Sequence, residues 1–284
     1  MNIPLRYHDR RLEGETPLRQ CQLVQLHLLY VFDAICKEHH LTYFLDGGTL
    51  LGAMRHQGFI PWDDDLDVGM PMEDYKRFLK IAPKFLPQDV LLQAPDKDRF
   101  MHSYFSKLRD TSSFYGEPGL LSTKFSGIFL DIFPYEVLPE IGNFLQLFFL
   151  RAIGHCWRTR RAMLIQMGST STILLIPKCL YTLLLELGYY TIRFTLGILK
   201  RIFPCKSVYI ALETGYRFHF NLKDLFPLTK AAFEDGIFPV PNKADTVLSA
   251  QYGNWRQVPP LEKRPRHAHL ILPMQSISKD YSCS

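Results

Sequence analysis

The stretch "FLDGGTLLGAMRHQGFIPWDDDLDVGM", residues 44–70, packs four aspartates into five positions, Asp63, Asp64, Asp65 and Asp67, shortly after a Gly-Gly pair. Like charges at this density between two apolar runs repel unless they are solvated or a cation compensates them. The flanking pattern restricts the local structure. "LTYFLD" is short and carries β-branched and aromatic residues, so it reads as a strand ending at Asp46. Gly47-Gly48 breaks that strand, and "TLLGAMRH" reads as a short helix. "DLDVGM" reads as a second strand ended by Pro71, with "MEDYKRFLKIAPKF" as an amphipathic helix after it.

Alternate side chains of a strand share a face, so Asp65 and Asp67 project together, and Asp63 joins them if the strand begins early enough. Asp64 points the other way beside Leu66 and is the aspartate expected to tolerate asparagine. A hard divalent cation with oxygen ligands is the usual compensation for such a face. A calcium loop fits poorly. Asp63, Asp65 and Asp67 match its positions 1, 3 and 5, but the obligatory glycine is replaced by Val68, Pro71 interrupts the loop, and Asp74 stands where glutamate is needed. A solvated acidic turn is the plain alternative, against which Trp62 before the run and Val68 after it both argue.

Gly47 and Gly48, placed between a strand and a helix, offer backbone N–H groups and a helix N-terminus to an anion. With the D-x-D strand they outline a phosphoryl-transfer constellation of the nucleotidyltransferase-like kind, in which amides hold phosphate and carboxylates hold Mg²⁺ or Mn²⁺. "IFLDIF" supplies a third acid, Asp131, between Leu130 and Ile132, where a lone carboxylate needs a partner.

The rest of the chain frames this block. Thr16-Pro17 ahead of "LRQCQLVQLHLLYVFDAICKEHH" reads as an N-cap, a proline at the first helical position and a long helix. "DVLLQ", "SYFSKLRD" and "GIFLDIFPYE" are strand candidates, and a short helix is expected at residues 243–252. This alternation predicts an α+β fold, a mixed sheet flanked by helices. At 284 residues and 47% hydrophobic, the chain is long enough for a sizeable core. The expected division is a catalytic core in residues 1–140, a helical apolar-basic insertion in 141–206, a C-terminal part completing the core in 207–275, and a loose tail in 276–284.

The insertion holds most of the positive charge. Residues 151–206 carry nine Lys/Arg against one acid, a net +8 in a chain of +5, so the remainder is −3. Lys178, Glu186, Arg193 and Lys200 fall within roughly 80° of one another on a helical wheel, which leaves the rest of that helix apolar. Three readings are open: a membrane span, for which the uncharged run of residues 162–177 is too short and too polar; helices buried in their own core; or an in-plane helix pair on an anionic membrane surface. Nucleic acid is not an expected partner, because the basic residues sit among long aliphatic stretches. Six cysteines without a C-x-x-C pair indicate neither a zinc ribbon nor a disulfide framework and suit a reducing setting. The N-terminal "MNIPLRYHDRRLEGETP" lacks the apolar stretch of a signal peptide, so a cytoplasmic location is expected.

The block "DGGTLLGAMRHQGFIPWDDDLDVGMPMEDYKRF" closely resembles the LicD family of cholinephosphotransferases, whose distant relatives include fukutin and fukutin-related protein. The likeness continues at "SKLRD", "GIFLDIFPYE", "FEDGIFPVP" and "YGNWRQVPPLEKRPRH" and omits residues 141–206. It implies a nucleotidyltransferase-like core and Mg²⁺-dependent transfer of phosphocholine from CDP-choline to a hydroxyl of a cell-surface glycan, with release of CMP. By the same resemblance Asp65, Asp67 and Asp131 would hold the metal, and Asp131 or Asp63 would accept the hydroxyl proton. Gly47, Gly48 and Thr49 would border the donor phosphates, and Lys107 and Arg109 would neutralise them, unless these two form an ordinary solvated strand edge. Tyr252, Trp255, Lys263, Arg264 and His267 are candidates for contact with donor base or acceptor, and Tyr104, Tyr115, Tyr135 and Trp255 for a quaternary ammonium pocket. Arg55 and His56 lie in the matching block without an assigned role. Alternatives are another CDP-activated polyol phosphate, glycerol or ribitol, and a non-catalytic membrane-associated nucleotide-binding protein. The expected partners are a CDP-linked donor, a glycan or lipid-linked glycan acceptor, and an anionic membrane at its inner face.

Overall fold

The computed structural model describes residues 9–98, 101, 103–116, 126–166, 172–210, 212–214, 219–264 and 267–274. The expected tail and Cys283 lie outside the described residues. The first long helix, α1 (Pro17–Glu38), begins as its sequence requires: Thr16 Oγ1 accepts from the Arg19 N–H at 3.2 Å, and Pro17 needs no hydrogen-bond partner at the first position.

The main sheet is built from β1 (Phe44–Leu45), β2 (Asp67–Pro71), β3 (Val90–Gln93), β4 (Ser106–Asp110), β6 (Phe129–Leu138), β7 (Ser207–Ile210) and β8 (His219–Asn221). Between β4 and β6 in the chain lies β5 (Phe114–Gly116), which pairs with β11 (Leu270–Leu272); β9 (Thr229–Phe233) and β10 (Gly236–Val240) form a hairpin. The strand order is β1-β2-β6-β4-β3, with β7 and then β8 added to the far half of β6. β2 and β6 run parallel, and the other described pairs are antiparallel. The fold is therefore α+β with a mixed sheet.

The helices are α2 (Gly47–His56), α3 (Met72–Ile81), α4 (Asn143–Gln166), α5 (Thr172–Ile202), α6 (Leu222–Leu225) and α7 (Ala244–Tyr252). Phe32 of α1, Phe44, Leu50 of α2, Leu66 and Phe78 of α3 are fully buried in one core with Leu108, Leu130 and Ile132 of the sheet. Burial of large side chains at about 25 cal/mol per Å² makes this cluster the main stabilising mass.

The ten residues of β6 connect two regions. Its first half pairs with β4 and its second half with β7, so the sheet closes directly across the helices inserted between β6 and β7. Those helices, α4 and α5, share a smaller core with Leu138, Leu150, Ile153, Leu196, Tyr209 and Leu212. Among the described residues no helix is long and apolar enough to cross a membrane. The charged stripe of α5 is turned toward the protein: Arg193 Nη1 lies 2.6 Å from Glu136 Oε2 on β6, Lys200 pairs with the other oxygen of Glu136, and Glu186 pairs with Arg160 at 3.0 Å. Glu136, nearly buried on a sheet strand, requires this compensation.

Candidate active site

The run of aspartates is held without being a strand throughout. β2 begins only at Asp67, so Asp63 and Asp65 reach their positions from the extended chain that precedes it. α1 fixes that chain: Gln22 Nε2 donates to Asp63 O at 3.0 Å, and Gln25 Nε2 donates to Asp64 O at 2.7 Å. The expected alternation survives. Leu66 is fully buried, and Asp63, Asp65 and Asp67 line one cleft of about 430 Å³.

The opposite wall of that cleft is the start of α2. Gly47 adopts a φ of +51°, where a side chain would be strained, and a Cβ there would stand 2.7 Å from Asp67 Oδ2. At Gly48 the corresponding atom would be 2.8 Å from Asp63 Oδ2. Two carboxylates thus press against the first turn of a helix, whose N-terminus favours negative charge. Thr49 Oγ1 accepts from the Asp67 N–H at 2.7 Å and ties the helix to β2. Asp46, which the sequence reading used only as the end of a strand, caps α2 by accepting from the Gly47 N–H at 2.8 Å and accepts from the Tyr135 hydroxyl at 2.6 Å. Its position immediately before a Gly-Gly helix start was the available signal.

Asp67, Asp131 and Lys107 stand side by side across β2, β6 and β4, since Asp67 pairs with Asp131 and Lys107 with Asp131. Lys107 Nζ lies 2.9 Å from Asp131 Oδ1 and 3.4 Å from the centre of the Phe129 ring. The partner that Asp131 needs is therefore a lysine. Arg109 does not join the cleft. It shares the face of Lys107, but its Nε donates to Gln93 Oε1 at 2.7 Å and its Nη1 to Gly127 O at 2.8 Å. Nor is it at a solvated edge, because β4 lies between β3 and β6 and both cations are buried.

Asp64 faces away as expected, and it is an anchor. Its carboxylate accepts from the N–H of Ala268 at 2.9 Å and of His267 at 3.2 Å, and meets His267 Nδ1 at 3.0 Å. Burial alone would raise its pKa, but the His267 ring and these N–H bonds outweigh it and hold the carboxyl below its ordinary value. The contact with Asp64 pushes His267 up to about 9. Asparagine would forfeit the charge in this clamp, so the expected tolerance of Asp64 is overturned.

The other acids are pushed up. Burial, then Asp65, raises Asp63 to about 8. Burial raises Asp65 as well. Burial, followed by Asp65, Asp131 and Asp46, carries Asp67 well above the carboxylate range. Carboxyls raised together by burial and by one another mark a place where positive charge is favoured. Asp63, Asp64, Asp65 and His267 each bring a ligand atom within 4.8 Å of the others. With Asp64 committed to the C-terminal segment, the remaining acceptor capacity lies on Asp63 and Asp65 beside Asp67. This oxygen-rich set fits a hard divalent cation.

The C-terminal segment closes the cleft with Tyr252, Trp255, Lys263 and His267. Arg264 lies over the Trp62 ring at 4.0 Å and Arg55 at 5.9 Å, while Arg55 Nη1 donates to Trp255 O at 2.8 Å. Trp62, which the sequence reading used only as an apolar flank, is thus part of the wall, and Arg55 gains a position. His56 stays beside Arg55, accepting from its Nε at 2.9 Å. Of the aromatic candidates, Trp255 reaches the cleft. Tyr115 is fully buried, Tyr104 meets Trp157 of α4 edge-to-face, and Tyr135 holds Asp46.

Comparison with known proteins agrees with this geometry. Residues 40–146 match the model of the nucleotidyltransferase domain of LicD/FKTN/FKRP, a stretch that contains the glycine turn, the three cleft aspartates Asp63, Asp65 and Asp67, and Asp131 beside Asp67. The lipopolysaccharide cholinephosphotransferase LicD of Haemophilus influenzae is 27% identical over 271 residues, covering 88% of this chain and 96% of that protein. An uncharacterised Rickettsia typhi protein is 34% identical over 37% of this chain and 39% of its own length. The human ribitol 5-phosphate transferase FKRP is 59% identical over 34 residues, 12% of this chain and 7% of that protein.

Proposed function

We propose that this chain, whose residues 40–146 match the nucleotidyltransferase-domain model of LicD/FKTN/FKRP, transfers phosphocholine from CDP-choline to a hydroxyl of a cell-surface glycan precursor and releases CMP. The hydroxyl oxygen bonds to the choline-bearing phosphorus, the bridging P–O bond breaks, CMP leaves with the bridging oxygen, and the hydroxyl proton passes to a carboxylate. The convergence of Asp63, Asp65 and Asp67 in one cleft against the first turn of α2 carries this reading.

Asp65, Asp67 and Asp131 would hold Mg²⁺ or Mn²⁺, which when bound neutralises phosphate charge and stabilises the leaving CMP. Gly47, Gly48 and Thr49 present the N-terminus of α2 to the donor phosphates. Lys107 balances Asp131, which leaves Asp63 as the better placed proton acceptor. Arg55 and Lys263, both at the cleft, add positive charge for a diphosphate. The acceptor is a glycan or lipid-linked glycan met at the inner face of the cell membrane, with the protein peripheral and cytoplasmic.

One observation favours a second donor. Arg264 and Arg55 already cover the Trp62 ring and Arg256 lies 4.4 Å over Trp255, so choline would compete with arginines for aromatic faces. A CDP-linked glycerol or ribitol would not.

The purified chain incubated with CDP-choline, CDP-glycerol or CDP-ribitol and acceptor glycan should release CMP with Mg²⁺ and not with EDTA. Asp65→Asn and Asp67→Asn should each lower the rate by about 10²-fold or more. Wild-type CMP release by both variants would remove the assignment, and the fastest donor identifies the transferred group.

A further inference from the structure

The inserted helices are built inside out. On α5, Ile176, Leu180, Leu184, Leu187, Phe194 and Ile202 are between 58% and 71% exposed. At about 100° per residue they fall within about 80° of one another, a continuous apolar stripe along a helix of about 45 Å. Phe144 and Phe148 at the start of α4 are also exposed. The polar side points inward, where Arg193 and Lys200 converge on Glu136. A soluble surface rarely exposes apolar area on this scale without a function for it.

We infer that this α5 face, with the start of α4, docks in the plane of an anionic lipid bilayer. Among the described residues of the two helices, every exposed charged side chain is a cation: Arg151, Arg158 and Arg201. Their single acid, Glu186, is half-buried against Arg160. A second copy seated symmetrically on this face would bring like charges together with no acid to relieve them. Anionic headgroups supply the missing charge, and the acyl boundary accepts the apolar stripe. Asp131 and Glu136 are five residues apart on β6, about 17 Å along the strand. The strand that sets Asp131 beside Asp67 of the cleft therefore also carries the anchor of the docking helix.

This inference rests on the membrane-peripheral part of the proposed function and not on its chemistry. The test is flotation of the full chain with vesicles of mixed phosphatidylglycerol and phosphatidylcholine, and with phosphatidylcholine alone. The chain should float with the mixed vesicles and at least about tenfold less with the neutral ones. A Leu180→Glu/Leu184→Glu/Leu187→Glu variant should lose binding at least about tenfold, with its unfolding midpoint and its CMP release in vesicle-free solution unchanged. Arg151→Gln with Arg201→Gln, at exposed positions, should lower the anionic preference by about tenfold and keeps the question decidable if the triple variant misfolds. Equal flotation by wild type and triple variant, equal flotation on both vesicle types, or a wild-type dimer that the triple variant makes monomeric would each overturn it. Flotation as expected with no CMP release would leave the docking face standing and remove only the reaction.

Discussion

A methyl group at Gly48 would meet Asp63 Oδ2 at 2.8 Å, so the carboxylate must move or the helix start must. Gly48→Ala is therefore expected to lower CMP release by about 10²-fold, the usual result of misplacing a reacting group by an ångström. Its effect on urea unfolding should stay under about 1 kcal/mol, because alanine is the better helix former. Asp64→Asn should behave in the opposite sense. It weakens a charge-assisted clamp on the backbone of His267 and Ala268, so unfolding stability should fall by about 1–3 kcal/mol, read by urea titration. The direction in which Asp64 points was legible from strand alternation. Its partner was not, because it lies 203 residues further along the chain.

Among the elements, the docking of α5 on β6 titrates. Burial alone would raise the Glu136 carboxyl, but Arg193 and Lys200 outweigh it and hold it below its ordinary value of 4.5. A folded value lowered in this way contributes stability that is complete above pH 4.5 and is lost as the pH falls through the folded value. The protection factors of the α5 amides, taken relative to intrinsic exchange at each pH, should fall on acidification below that point. Glu136→Gln should flatten the pH dependence and destabilise the chain by about 1–3 kcal/mol, the cost of removing the charge that Arg193 and Lys200, both partly exposed, share. The stripe of Lys178, Glu186, Arg193 and Lys200 could be read from its period, but which way it faced could not. Periodicity separates two faces of a helix, and only the buried glutamate on another element decides which is turned inward. Arg109 teaches the same point within a strand. Its face followed from alternation, and its engagement by Gln93 and Gly127 depended on the neighbouring strand and on the turn before β6.

At the scale of the whole molecule, the cleft is assembled from two distant parts of the chain. Residues 46–67 bring the glycine turn and the acids, and residues 252–267 bring the aromatic and basic wall. The first part could be recognised locally because a turn, a helix start and a strand follow one another within some twenty residues, on the order of one supersecondary unit. The second could only be suspected, since no local pattern says that Trp62 will carry Arg264 or that Asp64 will hold His267. The central claim, that Asp65 and Asp67 of the first part hold a divalent cation with Asp131 for phosphoryl transfer, is tested most directly by titrating the full chain with Mn²⁺ and reading free ion by electron paramagnetic resonance. The account predicts saturable binding that Mg²⁺ displaces, weakened by about tenfold or more in Asp65→Asn and in Asp67→Asn. Wild-type Mn²⁺ affinity in both variants would contradict it.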